Sequence, residues 1–160
     1  MRKKTFRYVC AVCFGGYVLF MLWLLFGQRW GAPVPFSYGE SLLQNCNLLP
    51  FSTVLTFCRI LRQASSPAAF RHAVVNLAGN IVMFVPLGFF MPCLWRKMRR
   101  FRRFLLCHIG VIAAIELAQW LTLLGSMDVD DLILNTCGGA AGFGLFCLCR
   151  AAYSRIARTV

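Results

Sequence analysis

The residues able to do chemistry in this chain are few and concentrated. Asp128, Asp130 and Asp131 put three of the five acidic residues into four positions between two apolar segments. Asn76 and Asn80 lie four apart, Glu116 and Gln119 three apart, and Asp131 and Asn135 four apart, so each pair shares one face of a helix. Amides and carboxyls in apolar surroundings have three uses: hydrogen bonds between helices, a pocket for a polar ligand, or acid–base chemistry. The ligand-pocket set is therefore Asn47, Asn76, Asn80, Glu116, Gln119, Asp128, Asp130, Asp131 and Asn135. Glu116 is the candidate catalytic acid or base.

Other chemistry is less well supported. Asp128, Asp130 and Asp131 offer oxygen ligands to a hard cation, but neither ligand number nor spacing completes a site. No nucleophile stands beside a base, so the balance leans away from an enzyme. Of the nine cysteines, Cys10 with Cys13 and Cys147 with Cys149 lie in apolar segments, where a thiol acts as a small hydrophobe. No Cys/His set has zinc spacing, and nothing calls for a cofactor. Cys46 and Cys58 form one candidate disulfide. His72 and His108 fall near opposite membrane faces, so they cannot share a site, and each is expected at an interface.

The elements that position these residues are transmembrane helices. At 59% hydrophobic residues with a mean hydropathy of +0.68, the chain exceeds the roughly 45–50% apolar content of soluble domains. A span needs about 20 apolar residues. Four windows qualify, at about 8–26, 72–95, 104–124 and 132–149, and no separate soluble domain fits in the remainder of 1–160. The first is expected to be a retained helix: it is longer than a signal peptide core, and Gln28-Arg29-Trp30 offers no cleavage site. Pro86 and Pro92 predict a kink in the second. The expected fold is an all-α integral membrane protein, a bundle of four transmembrane helices in one domain.

Charge orients the bundle. With four spans, thirteen of the seventeen Lys and Arg residues fall on one side, before the first helix, between Arg96 and Arg103, and after the fourth. The positive-inside rule then predicts both termini in the cytoplasm of a multi-pass protein. Helix-flanking arginine explains the net charge of +12 without nucleic acid. The loop from Gly27 to Arg71 is extracytoplasmic in this topology. Within it Phe51, Val54, Leu55, Cys58 and Leu61 recur at helical spacing opposite Ser52, Thr56, Arg59 and Gln63, which predicts a short interfacial helix ended by Ser65-Ser66-Pro67. At about 1.5 Å per residue, Asn80 and Glu116 both come to lie about 12 Å below the outer surface. Three helices thus present amide or carboxyl groups at one level of the outer half, while the inner halves carry almost none. That distribution argues against a channel. An unpaired Glu116 in hydrocarbon calls for water, a cation or a ligand, with Arg71 the nearest cation in sequence. Gly138 and Gly142 give the fourth helix a small-xxx-small face, whose partner is either the second helix or another protomer.

Four motifs in order carry a family resemblance. Asn47-Leu48-Leu49-Pro50-Phe51, Asn76-Leu77-Ala78-Gly79-Asn80 through Phe84-Val85-Pro86-Leu87-Gly88, Glu116-Leu117-Ala118-Gln119, and Asp128-Val129-Asp130-Asp131 through Asn135-Thr136-Cys137-Gly138 resemble the VanZ-like family of bacterial membrane proteins. They cover about residues 45–142. The family is named for a protein linked to resistance to teicoplanin, a lipoglycopeptide antibiotic. The resemblance therefore implies a cell-envelope role in the bacterial cytoplasmic membrane, with membrane lipids and a lipoglycopeptide or cell-wall precursor as partners. In the family an arginine usually stands shortly before the first aspartate; here Gly125-Ser126-Met127 does. Two functions are expected from residues and resemblance together: an outward-facing polar pocket for an amphipathic ligand, or an intramembrane enzyme acting on a lipid-linked precursor. Oligomers are compatible with both.

Overall fold

The computed structural model describes residues 2–27, 36–63 and 66–159. In chain order the elements are α1 (Arg2–Phe26), α2 (Tyr38–Gln44), β1 (Cys46–Asn47), α3 (Ser52–Gln63), α4 (Pro67–Leu94), a 3-10 turn (Arg96–Arg99), α5 (Phe101–Leu121), β2 (Met127–Asp128) and α6 (Val129–Thr159). Among them α1, α4, α5 and α6 are long and apolar enough to cross a membrane. The chain is an all-α, multi-pass membrane protein. Gln28-Arg29-Trp30 and Ser65, singled out in the sequence, lie outside the described residues.

Helix boundaries follow local chemistry. Ser66 caps α4, its hydroxyl accepting from Ala69 N–H at 3.1 Å, with Pro67 in the first turn, where a missing N–H costs nothing. α4 then continues as one helix through Pro86 and Pro92. It starts earlier than the apolar window because cap and proline, not hydropathy, set its end. For the same reason α6 starts at Val129, directly after a capping aspartate, and extends to Thr159.

The loop contains two further features. α2 is only seven residues long and closes on a capping box, in which Glu40 N–H donates to Ser37 Oγ and Ser37 N–H donates to the Glu40 carboxylate. The Ser37 hydroxyl and N–H hold the Glu40 carboxyl below its usual range. Tyr38 Oη donates to Leu121 O, and Trp120 Nε1 to Leu42 O, each at 2.8 Å, which ties α2 to the end of α5. The second feature is a two-residue parallel pairing that sets Cys46 beside Met127 and Asn47 beside Asp128. A ladder this short carries no periodicity to read. Cys46 and Cys58, the candidate disulfide, are free thiols.

The bundle is built on α4 against α6. A Cβ added at Gly138 would sit 2.0 Å from Ile81 O, and one at Gly142 2.0 Å from Val85 O. Backbone therefore meets backbone, and the partner of the glycine face is the second span of the same chain. Matched numbering along the two helices shows that they run parallel. Phe84, Leu87, Met91, Phe104, Ile112 and Phe143 fill the core between α4, α5 and α6. α1 lies at the side, held by Tyr17 Oη donating to Met83 O at 2.7 Å, with Val12, Leu19 and Trp23 exposed.

Filling the glycine seam tests this packing. Gly138→Val forces a branched side chain into a carbonyl and is expected to cost about 1–3 kcal/mol or prevent assembly. Gly144→Ala meets nothing within 4 Å and is expected to be neutral or to stabilise by up to about 1 kcal/mol. Thermal unfolding of both in detergent measures the difference.

Candidate functional site

The acidic motif is spent largely on building the loop. Asp128 is the N-cap of α6, its Oδ1 accepting from Asp130 N–H at 2.8 Å, as short polar caps do. Its other oxygen accepts from Thr53 Oγ1 at 2.6 Å and Asn47 Nδ2 at 3.3 Å. Asp130 is fully buried. One oxygen accepts from Phe51 N–H, and the other from Thr53 N–H at 2.8 Å and Val54 N–H at 3.0 Å. These are the N–H groups at the start of α3, which a helix cannot satisfy internally, and a helix N-terminus favours an anion. Phe51 adopts a left-handed φ of 65°, costly for a non-glycine residue. That turn helps aim the amides at Asp130.

Asp131 points elsewhere and accepts from Asn80 Nδ2 across the α4–α6 contact. The three aspartates therefore diverge instead of converging on a cation, and among the described residues no group of three or more His, Cys, Asp and Glu could hold a metal ion. The hydrogen bonds that Asp128 and Asp130 accept come from neutral donors, while Arg59, Arg62 and Arg71 are exposed. None of those arginines bonds to Asp128 in place of the arginine usual in the resembled family.

Below this layer lies a second, drier one. Glu116, 6% exposed, and Asn135, 3% exposed, face each other from α5 and α6, with Asn135 Nδ2 donating to Glu116 Oε1 at 3.5 Å. Arg71 remains exposed, so it is not the partner that a buried Glu116 was expected to find. Among the described residues, Glu116 Oε2, Asn135 Oδ1 and Asn76 Oδ1 are buried and meet no hydrogen-bond partner. Unsatisfied buried oxygens cost about 1–3 kcal/mol each.

Two residues change places relative to expectation. Gln119 does not join the cluster; its Nε2 donates to Leu25 O at 3.1 Å and pins the end of α1. His108 is not interfacial but fully buried. Its ring stacks on Phe104 with centroids 5.2 Å apart, and its Nε2 lies 3.3 Å from Asn135 O. Gly139 makes the room, because a Cβ there would fall 1.9 Å from His108 Nε2. The signal was in the sequence: Phe104, His108, Ile112 and Glu116 recur every four residues, and they are the buried stripe of α5. Distance from a helix end does not reveal this burial; the four-residue stripe does. His72, by contrast, is exposed, its ring 5.6 Å from Phe57.

The accessible part of the site lies above these layers. Asn47, Ser52, Thr53, Thr56 and Phe57 line an open cavity of about 340 Å³, and Asp128 holds two of those side chains from behind. Leu48, Leu49, Phe51 and Leu55 are exposed on the same segment. Hydroxyls and an amide thus sit beside a strip of apolar surface.

The Asp130 contacts give a direct test. Asp130→Ala leaves three N–H groups without acceptors and is expected to cost about 1–3 kcal/mol. Asp130→Asn, which keeps one acceptor oxygen, falls between. Hydrogen exchange at Phe51, Thr53 and Val54 should accelerate in the alanine variant while the interior of α6 stays protected.

Comparison with known proteins identifies the family. The family model VanZ/LLP1 matches residues 14–150. Protein VanZ of Enterococcus faecium is 23% identical over 131 residues, covering 81% of this chain and 68% of that protein. No solved structure matches the chain. The match spans α3, the α4–α6 seam and the acidic motif together, and the chain belongs to the VanZ-like family.

Proposed function

We propose that this protein is a cell-envelope protein that binds the polar part of an amphipathic ligand at the outer leaflet and lowers susceptibility to lipoglycopeptides such as teicoplanin. The observation that carries the reading is the cavity lined by Asn47, Ser52, Thr53 and Thr56 beside exposed Leu48, Leu49 and Leu55. Such a surface suits a ligand with a hydroxyl- or amide-rich head and an acyl chain. Ligand sites of this kind are partly apolar, with a few convergent polar groups. Both termini face the cytoplasm in this reading, since Lys4, Arg7, Arg96 through Arg103 and Arg150 cluster at the opposite end of the bundle.

Family membership supports the resistance association, and the cavity supports ligand binding as its route. Thr56 is exposed, so Thr56→Phe fills the cavity without opening the bundle. It is expected to reduce binding of an acylated glycopeptide by about fivefold or more, equivalent to about one lost hydrogen bond, and to return susceptibility toward that of a deletion strain. Unchanged teicoplanin susceptibility on both deletion and overexpression would end the resistance reading. In a cysteine-free background, Leu49→Cys should react with an impermeant thiol reagent on intact cells and Lys97→Cys should not.

One observation favours a second reading. Glu116 Oε2 is buried without a partner, the condition of a carboxyl that exchanges protons with a substrate in an intramembrane enzyme. Glu116→Gln keeps shape and the bond partner Asn135. If that variant folds, reaches the membrane and loses the phenotype, acid–base chemistry replaces binding as the explanation; retained phenotype leaves Glu116 as packing.

A further inference from the structure

We propose that the groove between the basic N-terminal end of α1 and the apolar C-terminal end of α4 is a binding site for an anionic phospholipid. The groove encloses about 600 Å³, and Lys4, Arg7, Tyr8, Phe14, Leu94 and Trp95 line it. It lies at the end of the bundle opposite the acidic motif and does not depend on the function proposed above. Its chemistry is graded along α1. From Lys4 to Phe14 the wall runs about 15 Å along the helix and passes from two cations through an aromatic to an apolar floor. That floor is firm: the Phe14 ring meets the Trp95 ring edge-on with centroids 5.6 Å apart and lies 6.0 Å from Phe90.

An amphiphile with a negative head and an acyl tail matches that gradient. A free phosphate would use only the first turns, and an acidic peptide would leave the apolar floor uncovered. Lys4 and Arg7 are exposed, and the five acidic residues of the chain, Glu40, Glu116, Asp128, Asp130 and Asp131, all belong to the other end. Among the described residues no Asp or Glu stands beside the two cations. Tyr8 and Trp95 stand where aromatic side chains anchor at the level of lipid head groups. Basic pockets between transmembrane helices hold anionic head groups through such contacts, and each Lys or Arg strengthens binding severalfold.

The test is native mass spectrometry of the purified full chain, delipidated and titrated with phosphatidylglycerol or with phosphatidylcholine of the same acyl length. The expected result is a saturable single adduct with phosphatidylglycerol, at least about tenfold tighter than with phosphatidylcholine. Lys4→Gln with Arg7→Gln should remove most of that preference. Arg102→Gln with Arg103→Gln takes two charges from the same end outside the groove and should change it less than about twofold. Ala11 also lines the groove, and Ala11→Leu narrows it without changing charge and should weaken both lipids. Equal losses from the two charge pairs would reduce the effect to general surface charge and overturn the site. So would equal binding of the two lipids, or full competition by soluble glycerol phosphate.

Discussion

The close approach of α4 and α6 is the constraint on which the rest depends. With no Cβ at Gly138 or Gly142, the carbonyls of Ile81 and Val85 sit where side chains would otherwise stand. Small residues at such seams let helix backbones approach and gain dispersion energy that lipid cannot supply. The seam also sets register. It brings Asp131 to Asn80, and because Asp130 is the next residue round the helix, its carboxylate must leave in another direction, toward the start of α3. Gly139, beside the seam, admits His108 from α5. One stretch of small residues therefore serves two neighbouring helices.

From that register the loop inherits its shape. α3 has no buried residue of its own, so its position cannot come from a deep hydrophobic anchor. It is held by its N-terminal amides on Asp130 and by Thr53 and Asn47 on Asp128. A buried carboxylate facing three amides is expensive to leave unpaired, which makes loop and bundle interdependent. The cavity above is then a consequence of the same contacts: its polar wall consists of side chains that the aspartates hold in place. The acidic motif stands here behind the wall of that cavity more than in its lining.

The two ends of the molecule divide the polar work. At one end carboxyls meet amides and hydroxyls within the protein. At the other, Lys and Arg flank the spans and stay exposed, together with Tyr8 and Trp95. Between them, His108 and Asn135 place polar groups deeper than the acidic loop, in a layer otherwise filled by Phe84, Phe104 and Ile112. Polar groups buried that far are costly.

The sequence by itself determined four spans, a loop helix over residues 51–63 and the family, because 20-residue apolar windows, helical spacing and four ordered motifs are local signals. It also determined that Asn80, Glu116, Asp131 and Asn135 would gather, since spacing of three or four fixes a helix face. Only the tertiary structure decided what each face meets. Gln119 shares the spacing of Glu116 yet turns to Leu25 O, and His108 enters the core through a gap that Gly139 leaves on another helix. Asp130 binds the start of α3, nearly eighty residues away in sequence. Helix periodicity states which residues are neighbours along one cylinder, whereas rotation, register and the identity of the facing helix arise from packing between cylinders. For that reason the acidic motif was legible as important, and its role as a remote helix cap was not.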